Sequence, residues 1–123
     1  MKQALLVFIG GGFGSMLRYI ISRYLNSFYE HFFLGTFTVN ILGCLLIGFL
    51  LSFSFKENLL SENQLLLLAT GFCGGFTTFS TFALEKHTLL KSGELLHFSV
   101  YMLASIVVGI MAIALGIWIA KLL

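Results

Sequence analysis

The sequence predicts an all-α membrane protein: four transmembrane helices forming one domain over residues 1–123. Three observations predict it. Hydrophobic residues make up 59% of the chain and charged residues 10%, where a soluble domain carries about 25% charge; with a mean hydropathy of +1.01, lipid is the solvent for most of the chain. The apolar residues fall into four runs at about 4–25, 32–55, 65–90 and 97–120, each near or above the ~20 residues that carry a helix across a bilayer. No run alternates polar with apolar residues, so the backbones satisfy themselves as helices rather than barrel strands. The connectors, 26–31, 56–64 and 91–96, are short and polar, which leaves no room for an extramembrane domain.

In the first run, Lys2 followed by apolar residues resembles a signal peptide, but Gly10 to Gly14 and Arg18 stand where a cleavage site of small residues is expected. It is therefore read as a retained span. Gly10-xxx-Gly14 has the spacing that lets two helix backbones approach closely. The same glycines imitate a dinucleotide loop, but no βαβ unit surrounds them. Arg18, near the far end, has two readings: a side chain snorkelling to the interface, or a source of positive potential at an aqueous vestibule.

The second run sets Thr36, Asn40, Cys44 and Gly48 at successive i+4 positions, a polar stripe among Leu and Ile. A mid-membrane Asn is costly unless bonded, so Asn40 either ties helices together or faces a polar path.

The third run is the unusual one, because Gly71, Gly74 and Gly75 precede Thr77, Thr78, Phe79, Ser80, Thr81 and Phe82. One reading is a broken helix, whose irregular backbone is tolerated at membrane depth only where protein buries it or it lines a cavity. The other is a close crossing at Gly71-xxx-Gly75, with the hydroxyls bonded back to their own helix. Phe79 and Phe82, three residues apart, share a helix face. Glu85 lies one further i+3 step on, and Lys86 beside it suggests a helix already reaching headgroups. In the fourth run Tyr101 and Ser105 repeat the i, i+4 polar spacing, while Ser105, Gly109, Ala112, Gly116 and Ala120 form a small-residue row suited to packing.

Asn40, Ser80, Thr81, Tyr101 and Ser105 offer hydroxyl and amide donors without a carboxylate or fixed cation. Such a lining suits a small anion, whose hydration donors can replace without trapping it, and the positive edges of Phe79 and Phe82 can join them. A net charge of +2 with dispersed basic residues argues against nucleic acid as a partner. Cys44 and Cys73 lie in apolar stretches without metal-ligand spacing and read as packing residues. His31, His87 and His97 fall near span ends and form no cluster. No nucleophile, base and orienter occur together, so the chain is not expected to be an enzyme.

The basic residues point to an unusual topology. With the N-terminus cytoplasmic, that side holds Lys2, Lys56 and Lys121 and the other holds Arg18, Arg23, Lys86 and Lys91. Three against four is no bias, whereas a single orientation normally carries a cytoplasmic excess. Dual insertion would let two antiparallel copies build a path that four helices are too few to enclose; a parallel oligomer is the alternative.

The motifs carrying these residues resemble those of the small fluoride channels of the Fluc/CrcB family. They are Gly10-Gly11-Gly12-xx-Ser15-xx-Arg18-Tyr19, Gly35-Thr36-xx-Val39-Asn40-xx-Gly43, and the specific run from Gly71 through Gly74, Gly75, Phe76, Thr77 and Thr78 to Phe79-Ser80-Thr81-Phe82. Ser15 stands where the family commonly has alanine. The resemblance implies a multi-pass protein of the cell membrane that exports fluoride passively and so limits its toxicity. It implies an antiparallel, dual-topology homodimer surrounded by lipid, a broken third helix and two fluoride pathways. Phe79 and Phe82 would touch fluoride, Asn40 would be the pore amide, and Ser80, Thr81, Tyr101 and Ser105 match the polar lining. A central structural Na+ would be held by the carbonyls of Gly74 and Thr77. Arg18 would lie at a vestibule and Glu85 near the pathway. Two other classes compete. A small proton-coupled multidrug transporter would use an embedded carboxylate, normally in its first helix, and the first run has none. An accessory membrane subunit would account for the glycines but not for the Thr/Ser/Phe cluster.

Overall fold

The computed structural model describes residues 1–29, 32–57 and 59–123. His31, expected at a span end, lies outside the described residues, as does the side chain of Lys56 that entered the charge count. The regular elements of the described chain are all helical: α1 (Lys2–Leu25), α2 (Leu34–Glu57), α3 (Glu62–Leu65), a π-helical segment (Leu66–Cys73), α4 (Gly74–Phe76), α5 (Phe79–Lys91) and α6 (Leu95–Leu122). Four stretches are long and apolar enough to cross a membrane: Lys2–Leu25, Leu34–Phe55, Glu62–Lys91 and Leu95–Leu122.

The helix ends lie within three residues of the hydropathy boundaries, and the shifts have local reasons. α3 starts early because Ser61 and Gln64 form a capping box, each side chain bonding the other's backbone N–H. α2 starts late, at Leu34, where the Asn26 side chain accepts the Gly35 N–H at 2.7 Å and so satisfies one of the orphan donors of the first turn. Between α5 and α6 the chain reverses at Gly93, whose φ of 77° is a left-handed conformation that glycine adopts without a Cβ clash. There Glu94 N–H bonds Leu89 C=O and Gly93 N–H bonds Leu90 C=O, closing the end of α5.

Small residues decide which helices meet. α1 lies on the π-helical segment and α4, with Gly10 against the Leu67 carbonyl and Gly14 against the Phe72 carbonyl so closely that a Cβ at either would strike backbone. Gly75 meets Gly11 in the same crossing. α2 packs on α6, where Gly48 faces the Ile113 backbone and Gly116 faces Leu45 and Phe49. The resulting core is thin. Val39, Phe76, Leu89 and Tyr101 are buried, while large apolar side chains such as Phe8, Phe13, Leu103, Ile110 and Trp118 face outward, as a chain solvated by lipid allows.

Candidate functional site at the break in the third span

The third span changes direction where α4 ends at Phe76. Thr77 (φ −84°, ψ 159°) and Thr78 (φ −150°, ψ 123°) are extended, and α5 starts afresh at Phe79. Asn40 of α2 holds the interruption open from the side. Its Nδ2 donates to the Thr78 carbonyl at 3.1 Å and its Oδ1 accepts the Thr78 N–H at 2.8 Å, so the carboxamide replaces a backbone partner on both counts. In an uninterrupted α-helix that N–H would bond the Gly74 carbonyl; here it does not, and the Gly74 oxygen is left outside the ladder. The Thr78 hydroxyl then caps α5, accepting the Thr81 N–H at 3.3 Å and donating to Thr81 Oγ1 at 3.1 Å. Thr77 hydroxyl donates to the Cys73 carbonyl at 2.9 Å, and glycine at position 43 makes room for its methyl group.

Both readings of the third run therefore hold at once. Gly71 and Gly75 make the close crossing with α1, and the break falls just beyond them. Arg18 reaches it as well: Nε donates to the Gly75 carbonyl at 3.0 Å, joined by Ser15 Oγ at 3.3 Å. A cation at the C-terminal end of a helical stretch opposes the negative pole there and satisfies an orphan carbonyl. Ser15 thus adds a second donor to Gly75.

Beside the break lies an open cavity of about 570 Å³. Asn40, Gly43 and Cys44 of α2 form one wall, Gly74, Thr77 and Thr78 the break itself, Phe79 and Phe82 another wall, and Ser105 of α6 the back; none of its lining residues is charged. Phe79 is 80% exposed, and its ring centroid lies 6.2 Å from that of Phe82. Ser105 Oγ is buried without a hydrogen-bond partner among the described residues.

The expected residues divide into two sets. Asn40, Gly74, Thr77, Phe79, Phe82 and Ser105 come together at the cavity; Ser80, Thr81, Tyr101, Arg18 and Glu85 are not among its lining. Ser80 and Thr81 sit at the start of α5 with the Thr78 hydroxyl. Tyr101, fully buried, stands behind Phe82 in edge-to-face contact at 5.4 Å. It belongs to a polar cluster that spacing did not reveal. Glu85, 6% exposed, accepts from Thr36 Oγ1 and, at 2.9 Å, from the Tyr101 hydroxyl. Lys86, expected among headgroups, is instead 4% exposed. Its ammonium lies 3.0 Å from the Tyr101 ring centroid, 4.9 Å from that of Phe82 and 5.9 Å from that of Phe98. Rings on α5 and α6 enclose the ammonium, so the side chain turns inward although it stands near the end of the span. One signal was available: Leu89 and Leu90 continue the apolar run past both charges.

Among the described residues no group of three or more His, Cys, Asp or Glu could hold a metal ion. The carbonyls at the break are a different kind of ligand, hard neutral oxygens of the sort that suit a small hard cation, and Gly74 and Thr77 are among the residues lining the open cavity.

Comparison with known proteins identifies the family. The family model described as "CrcB-like protein, Camphor Resistance (CrcB)" matches residues 5–117. A protein of Phocaeicola vulgatus named fluoride-specific ion channel FluC is 46% identical over 125 residues, covering 98% of this chain and all of its own. Proteins of the same name from Prosthecochloris aestuarii and Bacteroides fragilis are each 47% identical over 120 residues, covering 98% and 94% of this chain and 94% of their own. With that match reaching into all four spans and containing the break, the chain is a multi-pass membrane protein belonging to the CrcB family.

Proposed function

We propose that this chain is a fluoride-selective channel of the cell membrane that lets fluoride leave passively and so limits its toxicity; it is a channel rather than an enzyme. The carrying observation is the uncharged cavity in which the rings of Phe79 and Phe82, the Asn40 carboxamide and the unpartnered Ser105 hydroxyl meet. Fluoride is small and strongly hydrated, so its passage requires donors close enough to replace water, and ring edges and hydroxyls supply them without a cation that would hold it. Asn40 has a second Nδ2 hydrogen beyond the one given to Thr78. Ser80 and Thr81 act at the α5 end of the path, Tyr101 and Glu85 behind Phe82, and Arg18 by fixing the break from the α1 side. The name carried by the relatives supports the choice of ion.

The working form is an antiparallel, dual-topology homodimer in lipid. The even split of basic residues supports it, as does a cavity open on one side. Two copies related by a twofold axis offer two equivalent paths. The carbonyls of Gly74 and Thr77 from both copies would hold one structural Na+, which supplies a fixed positive charge that relieves the orphan carbonyls. Asn40 supports this by taking up the Thr78 N–H that would otherwise bond the Gly74 carbonyl, and Arg18 with Ser15 bond Gly75 instead.

The test is efflux from liposomes holding the purified protein, read with a fluoride electrode, with chloride as the comparison. Passive fluoride efflux with chloride strongly rejected is expected; comparable chloride flux overturns the reading. Because Glu85 is a buried carboxylate, a proton-gradient arm is included. Fluoride movement strictly driven by that gradient would favour a proton-coupled transporter instead, although α1 carries no Asp or Glu.

A further inference from the structure

The charged pair Glu85–Lys86 lies one ring behind the cavity wall, and the path through the cavity does not account for the lysine. Two charges so deep in a lipid-solvated protein are costly unless each is compensated. Glu85 has two hydroxyl donors, from Thr36 and Tyr101. Among the described residues the Lys86 ammonium has no hydrogen-bond partner and is held by the faces of Tyr101, Phe82 and Phe98. Three N–H donors left unbonded at 4% exposure are a deficit that packing alone would have removed by substituting an apolar residue.

Their arrangement around Tyr101 has an electrostatic consequence. Glu85 takes the hydroxyl at the ring's edge, and Lys86 covers its face. A cation on a ring face draws π-electron density towards itself, which leaves the edge hydrogens more positive. Phe82 is polarised by the same ammonium, and Phe82 lines the cavity. Without Lys86, an anion approaching Phe82 would meet the field of an uncompensated carboxylate behind a less polarised ring.

We propose that Lys86 is a positioning residue for anion passage: its ring-enclosed ammonium cancels the field of Glu85 at the cavity and sharpens the positive edge that Phe82 presents to the ion. The proposal rests on the fluoride reading above, and wild-type flux in the same liposomes separates the two: without wild-type fluoride flux, the channel reading itself fails.

The experiment compares Lys86→Met, Lys86→Arg and the double variant Glu85→Gln/Lys86→Met, each reconstituted after its elution volume is checked against wild type. Lys86→Met is expected to slow fluoride efflux by about tenfold or more, the scale on which an unpaired buried charge acts. Lys86→Arg, which keeps the charge and stacks on rings, should restore most of the flux. The double variant, with neither charge, should conduct faster than Lys86→Met alone; a structural role would not give that recovery. Wild-type flux in Lys86→Met overturns the proposal, and so does a double variant no faster than the single one. If Lys86→Met does not assemble, the double variant is read alone: assembled and conducting, it supports charge cancellation; assembled and silent, it refutes it. Failure of both to assemble assigns Lys86 to folding and also overturns the proposal.

Discussion

The carboxamide of Asn40 gives Thr78 both a donor and an acceptor, as a helical neighbour would. Asn40→Leu removes both, at about 1–3 kcal/mol for each backbone group left buried and unpaired. Asn40→Asp keeps the bond from the Thr78 N–H but sets a second oxygen against the Thr78 carbonyl. Both variants are expected to melt earlier than wild type, followed by elution profile after heating, and to lose flux. A wild-type melting profile for Asn40→Leu would mean that something else holds the break open. From the sequence, Asn40 was either a tie between helices or a residue facing a path, and its geometry joins the two because the partner it ties is itself the cavity wall. That partner lies 38 residues away in sequence, beyond the reach of any local pattern. The two phenylalanines make a similar point. Spacing treats Phe79 and Phe82 alike, but Phe79 is mostly exposed while Phe82 packs edge-on against Tyr101 and under Lys86. Phe79→Ile should therefore slow fluoride with assembly unchanged. Phe82→Ile should slow it and also lower the melting temperature, since the aromatic pair alone is worth about 0.5–1.5 kcal/mol. Equal stability of the two variants would contradict this division.

At the level of elements, the glycines of α1 are not interchangeable. A Cβ at Gly10 or Gly14 meets backbone of the π-helical segment, whereas one at Gly12 meets nothing within 4 Å. Backbone cannot yield as a flexible side chain does, so Gly10→Ala and Gly14→Ala should each cost about 1–3 kcal/mol or more from overpacking. Gly12→Ala should be neutral or stabilising, by up to roughly 1 kcal/mol from helix propensity. Thermal midpoints of the three purified variants check this, and a Gly10→Ala midpoint equal to that of Gly12→Ala would refute the crossing. The four spans and this crossing were legible because they depend on local hydropathy and on small residues at fixed spacing. The helix ends were less so, since Ser61 with Gln64 and Asn26 with Gly35 extend or delay helices through polar residues that hydropathy discounts. The burial of Glu85 and Lys86 left one sequence signal, the apolar Leu89 and Leu90 beyond them, and charge near a span end otherwise reads as headgroup-seeking unless the facing residues, here Thr36 and Tyr101, are known.

For the molecule as a whole, the question is what covers the open side of the cavity. In the single chain Gly74 is exposed, and a Cβ there has nothing within 4 Å, so nothing among the described residues requires glycine. Alanine would even favour the helix at this position, by roughly 1 kcal/mol. If a second, antiparallel copy brings its own break to the same place, the missing side chain acquires a reason: close approach of two breaks, with carbonyls of Gly74 and Thr77 from each copy around one cation. Gly74→Ala, and more strongly Gly74→Val, should then leave helical content unchanged while lowering the cross-linkable dimer fraction in detergent and weakening the dependence of that fraction on sodium. Helicity by circular dichroism separates this from a folding defect, since a protomer that loses its break would also change its spectrum. Both variants remaining dimeric and as sodium-sensitive as wild type would show that the two breaks do not meet at Gly74, and the even split of basic residues would then need an explanation other than antiparallel pairing through this face.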